Sequence, residues 1–174
     1  VIVRRFRAAD APTVAALGDL LRIGDPADSA VPVPLPPSNQ PSGFRDLVDV
    51  PGHFLDADAG GDFLVAELDG HLVGMGGIRP TGEARAEVKR LRVHPAVRRQ
   101  GVGRALMNAL ERRAAELGNR ELHLDTADQP DSTAFYLNLG YREVDREPSP
   151  YGEWTTVYYV KLLGRPLVRA ETGE

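Results

Sequence analysis

Glu87-Val88-Lys89-Arg90-Leu91-Arg92-Val93-His94-Pro95-Ala96-Val97-Arg98-Arg99-Gln100-Gly101-Val102-Gly103 is the stretch on which the fold turns. A strand-like run ends at Val93, a His-Pro turn follows, and Arg98, Gly101 and Gly103 lead into a helical pattern that begins at Arg104. In the order strand, glycine-rich loop, helix, the glycines let the backbone turn tightly with its N–H groups inward. The new helix adds the positive end of its dipole at the same spot. Together they predict an anion cradle suited to a pyrophosphate.

Within the strand the apolar positions are Ala86 and Val88, then Leu91 and Val93, so the alternation slips by one residue. A β-bulge, which leaves backbone groups unpaired, accounts for the slip. An imperfect alternation with Arg90 exposed accounts for it equally, and the pattern alone does not choose. From Lys89 to Arg113 eight cations face Glu111 alone, a local charge of +7 in a chain of net charge −4. A basic patch around a phosphate cradle on an acidic body points to a polyanionic small ligand, beside a site that welcomes a cationic partner. Nucleic acid is disfavoured, because the patch is short and carries no interleaved aromatics or reading helix.

At 174 residues, 42% hydrophobic and 26% charged, the chain has the size and apolar content of one α/β domain with a true core. We read residues 1–163 as that domain and 164–174 as a flexible tail. No apolar run reaches membrane-spanning length, and Val1 to Arg7 lacks the core of a secretory signal, so a cytoplasmic protein is the expectation. The chain does not begin with Met, and a trimmed leader stays open. The absence of cysteine removes disulfides, thiolate metal sites and a cysteine nucleophile. His53, His71, His94 and His123 share no metal-ligand spacing, and no metal is assigned.

Around the central stretch, Val1 to Phe6 alternates as a strand. Asp10 reads as the N-cap of a first helix with Pro12 in its opening turn and Val14, Leu17, Leu20 and Leu21 on one face, ending near Gly24. Residues 25–42 hold six prolines and predict a surface excursion that serves as a lid or a homodimer contact. Phe44, Leu47 and Val48 suggest a short helix stopped by Pro51-Gly52, and Asp56 to Asp62 an acidic loop. Asp69-Gly70 between Phe63–Leu68 and His71–Ile78 is a strong hairpin signal. Beyond the central helix, closed by Gly118, come a strand at Leu122 and Leu124, a helix from Ser132 to Leu139 closed by Gly140, and strands at Tyr141–Val144 and Trp154–Leu162.

At these residues the chain resembles a known family. Arg98-Arg99-Gln100-Gly101-Val102-Gly103 matches the Gln/Arg-x-x-Gly-x-Gly/Ala signature of the GNAT N-acetyltransferase superfamily, placed between the fourth strand and the third helix. Phe135-Tyr136 followed by Leu139-Gly140-Tyr141 matches that superfamily's second landmark. The resemblance implies an α/β fold with a mixed, mostly antiparallel sheet of six to seven strands, splayed in a V between strands four and five and flanked by about four helices. It also implies acetyl-coenzyme A as co-substrate, lying in the splay. Carried over by position, Arg98, Arg99, Gln100, Gly101, Val102, Gly103 and Arg104 would meet the pyrophosphate, and the backbone of Leu91, Arg92 and Val93 would pair with the pantetheine arm as an added strand does. Gln129, seven residues before Tyr136, stands where many relatives place an Asn that touches the cofactor.

Acetyl transfer from a thioester to an amine needs an unprotonated amine, a donor for the developing oxyanion and a proton for the departing thiolate. By the same resemblance Tyr136 is the general acid, and the backbone N–H near Val93 polarises the carbonyl. Glu87, eleven residues before Arg98, has the offset of the catalytic glutamate in the histone-acetylating branch and is the first choice for base, as an isolated carboxylate in a half-buried cleft. Asp125 is the second. The expected function is transfer of an acetyl group from acetyl-coenzyme A to a primary amine by direct attack in a ternary complex, the acceptor being a small molecule or a protein or peptide amine. The alternative is a non-catalytic module that senses acyl-coenzyme A. Phe44, Asp46, His53, Phe54, Tyr151, Glu153 and Trp154 are the candidates for the acceptor side.

Overall fold

The computed structural model describes residues 1–20, 31–38 and 41–164. The far end of the expected first helix at Leu21 to Gly24, part of the proline-rich segment and the tail beyond Gly164 lie outside the described residues. One seven-stranded sheet organises the remainder. Its strands are β1 Ile2–Arg5, β2 Asp62–Leu68, β3 His71–Gly82, β4 Arg85–Val93, β5 Glu121–Ala127, β6 Arg142–Pro148 and β7 Thr155–Leu162, in the spatial order β1-β2-β3-β4-β5-β7-β6. All neighbours are antiparallel except β4 and β5. That parallel pair is registered only at Arg85–Glu121, Ala86–Leu122 and Glu87–His123, and beyond it the strands part, giving the expected V.

The β2–β3 hairpin forms on Asp69 (φ 52°) and Gly70 (φ 81°), the two left-handed residues that a tight hairpin matching the strand twist requires. Helix α1 Ala11–Gly18, the short α2 Arg45–Val48 and the turn Pro51–Leu55 cover one face of the sheet. Their core joins Val14, Leu17, Leu47 and Phe54 to Phe63, Val65 and Met75. Helices α3 Val102–Glu116 and α4 Pro130–Asn138 cover the other face, where Leu106, Leu110 and Tyr136 meet Ile78, Val88, Leu122 and Tyr159. The described part of the proline-rich segment packs down rather than standing off. Leu35 is buried in the first core, and Ser38 donates its N–H to the Pro12 carbonyl at 3.1 Å.

The short helix ends at Val48, ahead of Pro51-Gly52, as expected; the turn that follows was not foreseen, and two further expectations need correction. A proline fits the first position of a helical turn, and the five residues Pro51–Leu55 form a π-helical turn that drives Phe54 fully into the core, 5.0 Å from the Phe63 ring. Asp62 does not belong to the acidic loop. It opens β2 fully buried, its carboxylate accepting from Arg5 Nε (2.9 Å), Arg113 Nε (2.6 Å) and the Phe63 N–H (2.9 Å). Asp10 precedes α1 as expected but does not cap it. Its carboxylate accepts from the Arg7 N–H at 2.7 Å and from both terminal nitrogens of Arg4 at 2.8 and 2.9 Å. Desolvation raises its pKa, and these donors outweigh it and hold the group below the ordinary 3.8. No helix among the described residues is long and apolar enough to cross a membrane.

Candidate active site

The slip in the pattern of β4 is a bulge. Met75 pairs with Arg92 and Gly77 with Lys89, so Arg90 and Leu91 stand opposite the single residue Gly76, and Arg90 takes a left-handed φ of 56°. The bulge turns the Arg90 side chain onto α2. There its Nε donates to both oxygens of Asp46 at 2.9 and 3.0 Å, and its guanidinium lies 4.0 Å from the centre of the Phe44 ring. Asp46 is therefore committed to an internal cation rather than presented to a ligand.

Below the bulge, the parting of β4 from β5 opens a cavity of about 430 Å³. Its walls are Val88 to Arg92 of β4, Leu124 to Gln129 running from β5 into α4, Ser132 and Tyr136 of α4, and Trp154. Five residues singled out from the sequence, Leu91, Arg92, Asp125, Gln129 and Tyr136, thus meet at one opening. Tyr136 is 9% exposed, between the rings of Tyr159 (5.5 Å) and Tyr141 (5.9 Å). Burial, then the charge of Asp125, push its phenol well above the ordinary 10, so the hydroxyl keeps its proton at any working pH.

Glu87 lies at the last registered pair of the seam, just outside the residues that line the cavity. It is not the isolated carboxylate the sequence suggested. Lys89 Nζ stands 2.6 Å from its Oε1, and an Arg79 nitrogen 3.8 Å from its Oε2. The same Lys89 Nζ is 3.7 Å from Asp125 Oδ1, so one ammonium stands between the two candidate bases. Sequence reasoning counted Lys89 only as part of the basic patch. The available signal was its place two residues after Glu87, on the same face of the strand.

The glycine-rich loop sits past the end of β4 and does not line the cavity. His94 closes the strand with its N–H on the Val73 carbonyl at 2.7 Å. Its ring is fully buried, with Nδ1 accepting from the Ala96 N–H (3.1 Å), which leaves Nε2 to donate to the Pro32 carbonyl (2.8 Å). After the turn Pro95–Val97, Arg99 (φ 62°) and Gly101 (φ 84°) take left-handed conformations, and α3 begins at Val102, two residues earlier than the pattern suggested. Ala105 makes the first intrahelical bond, to the Gly101 carbonyl at 2.9 Å, so the N–H groups of Val102, Gly103 and Arg104 have no partner within the helix. Gly103 is thus a helical residue. A Cβ there would meet Phe135 at 3.2 Å and Val93 at 3.6 Å, so its smallness lets α3 start against α4 and β4.

Of the residues considered for the acceptor side, Phe54 is core, His53, Tyr151 and Glu153 are exposed, and Trp154 alone reaches the cavity wall. No cluster of three or more His, Cys, Asp or Glu arranged to hold a metal occurs among the described residues.

Comparison with known proteins gives a consistent result. An uncharacterised N-acetyltransferase of Chlorobaculum tepidum is 30% identical over 93 residues, 53% of this chain and 57% of that protein. Human N-acetyltransferase 8 is 32% identical over 104 residues, 56% of this chain and 45% of that one. The chain spans about half the length of the curated relatives it matches. An aminoglycoside 6'-N-acetyltransferase solved in complex with coenzyme A shares the fold, with a TM-score of 0.70 at 20% identity over 95% of this chain and 99% of that one. Residues 31–141 match a family profile that takes in both the glycine-rich loop and Tyr136, and the chain belongs to the Acetyltransferase (GNAT) family.

Proposed function

We propose that the chain transfers an acetyl group from acetyl-coenzyme A to a primary amine by direct attack in a ternary complex. The observation that carries this is the cavity at the splay, which draws the bulged strand, Asp125 and Tyr136 to one opening. The residues present fit a coenzyme. The first-turn N–H groups of α3, flanked by Arg98, Arg99 and Arg104, would hold the pyrophosphate. Among the described residues, β5 registers against β4 only as far as Glu87, and past that point an extended amide chain would pair along Leu91, Arg92 and Val93. Gln129 stands at the start of α4 on the cavity wall, from where it would meet the same arm.

When bound, acetyl-coenzyme A supplies an activated acyl carbon and a thiolate leaving group. The backbone N–H groups around Val93, set by the bulge, stabilise negative charge developing on the acyl oxygen. The Tyr136 side chain, on the cavity wall, would donate to the leaving group. Its pKa stands above 10 and an ordinary thiol's near about 8.5, so full transfer ahead of bond breaking runs uphill. The phenol therefore acts first as a hydrogen-bond donor to the departing sulfur, and its proton follows. Glu87 takes the proton from the attacking amine, with Asp125 as the alternative base on the opposite strand. Tyr136 on the cavity wall, a proton donor that an acyl-coenzyme A sensor has no need of, favours the enzyme over the sensor.

The test is coenzyme A release from acetyl-coenzyme A against a panel of amino acids, small amines, aminoglycosides and basic peptides, with coenzyme binding followed by calorimetry. Turnover on one acceptor class is the expected result. Tight binding with no turnover on any acceptor would replace the enzyme with the sensor, and loss of binding would remove both.

A further inference from the structure

We propose that Lys89 is an acetyl acceptor of the chain itself, a lysine built into the cavity wall and acylated in place by the site it lines. The inference rests on the acyl-transfer function proposed above. Its first support is composition. Against nineteen arginines the sequence holds two lysines, Lys89 and Lys161. A guanidinium stays protonated and does not compete as a nucleophile, so these two are the chain's only side-chain amines.

Their surroundings differ. Lys161 Nζ is locked between Glu111 Oε2 and the Leu139 carbonyl, each at 2.7 Å, under α3 and α4. Lys89 lines the cavity, with its side chain 27% exposed and its Nζ 2.6 Å from Glu87 and 3.7 Å from Asp125. The contact an amine substrate must make with its base already exists within the chain. Lys89 also directly precedes the bulge whose backbone would orient the acyl group.

The step balances. One proton of the Lys89 ammonium passes to the Glu87 carboxylate, and the freed lone pair forms a bond to the acyl carbon. The carbon–sulfur bond breaks with its electrons going to sulfur, which takes the Tyr136 proton, and the phenolate recovers the second nitrogen proton. The products are an amide at Lys89, a free thiol and one proton released from Glu87 to solvent. Acylation also removes a positive charge, so Glu87 and Asp125 lose the cation that stands between them.

The experiment incubates the purified chain with acetyl-coenzyme A and follows intact mass and peptide maps over time, with external amines assayed in parallel. The expected result is one acetyl group on Lys89, added at least about tenfold faster than at Lys161 or the amino terminus because the amine is already positioned. Tyr136→Phe should slow it. Lys89→Arg should abolish it while keeping the wild-type melting profile. Turnover of an external amine with Lys89 unmodified overturns the inference and leaves the acyltransferase standing. Coenzyme binding with neither turnover nor modification overturns both. Equal labelling of Lys89, Lys161 and the amino terminus, undiminished by Tyr136→Phe, identifies solution chemistry and also overturns it.

Discussion

Tyr136 holds its proton because its ring is sunk among Tyr141 and Tyr159 with a carboxylate nearby, and that fixes what it can contribute. Tyr136→Phe should retain coenzyme binding by calorimetry and lower kcat by about a hundredfold, in the range of a lost general acid. Unchanged kcat at every pH would take the phenol out of the mechanism. Glu87→Gln should displace the acidic limb of the kcat/KM profile while Asp125→Asn leaves it in place; the opposite pattern would hand the base to Asp125. His123 carries a separate pH signature. Desolvation first, then the charge of Arg85, hold its pKa below the ordinary 6.5, while its Nε2 pairs with Thr81 Oγ1 at 2.7 Å. Between that lowered value and 6.5 the unfolded chain binds more protons, so stability falls as pH drops through 6.5. Urea midpoints at about pH 7.5 and about pH 5.5 should show the fall, and His123→Gln should flatten it. Tyr136 was legible in the sequence because its neighbours carry a pattern. The position of Lys89 between Glu87 and Asp125 was not, since its approach to Asp125 depends on how β5 lies beside β4, which no local spacing encodes.

Elements were read best where one physical cause acts alone. The Asp69-Gly70 hairpin and the terminal glycines of α3 and α4 each follow from backbone sterics, and each appears in the structure, while the slip in β4 was visible but its pattern left the bulge undecided. They were read worst where tertiary burial overrode local chemistry. Polarity marked Asp62 as a loop residue, but two arginines from distant parts of the chain make its burial tolerable. Removing one of them tests this. Arg113→Ala should cost about 2 kcal/mol, seen as a lower urea midpoint with unchanged slope, because Asp62 would keep Arg5 and the Phe63 N–H but lose its second cation while still buried. A near-neutral result would mean that water reaches the carboxylate. The turn Pro51–Leu55 was missed for a related reason, since the apolar demand of Phe54 starts a new turn past the end of the short helix.

For the molecule as a whole, the place of the loop was readable from the order of elements and the splayed sheet followed from the family resemblance, whereas the acceptor side depends on side chains drawn from separate segments. Coenzyme that fills the splay binds only the folded state. At a hundred times its dissociation constant it should therefore add about 2.7 kcal/mol to unfolding stability, read as a rise in melting temperature. No rise would mean that the coenzyme does not engage the folded chain. The seam described above has a further consequence. With three registered pairs between β4 and β5, the sheet is two leaves on a short pin. One leaf carries the loop that would grip phosphate, and the other carries Tyr136. The span between that loop and Tyr136 should then follow the packing of Ala86 beside Leu122 at the pin, so a methyl group gained or lost there is expected to retune the reach of the site without altering any residue proposed to touch a substrate.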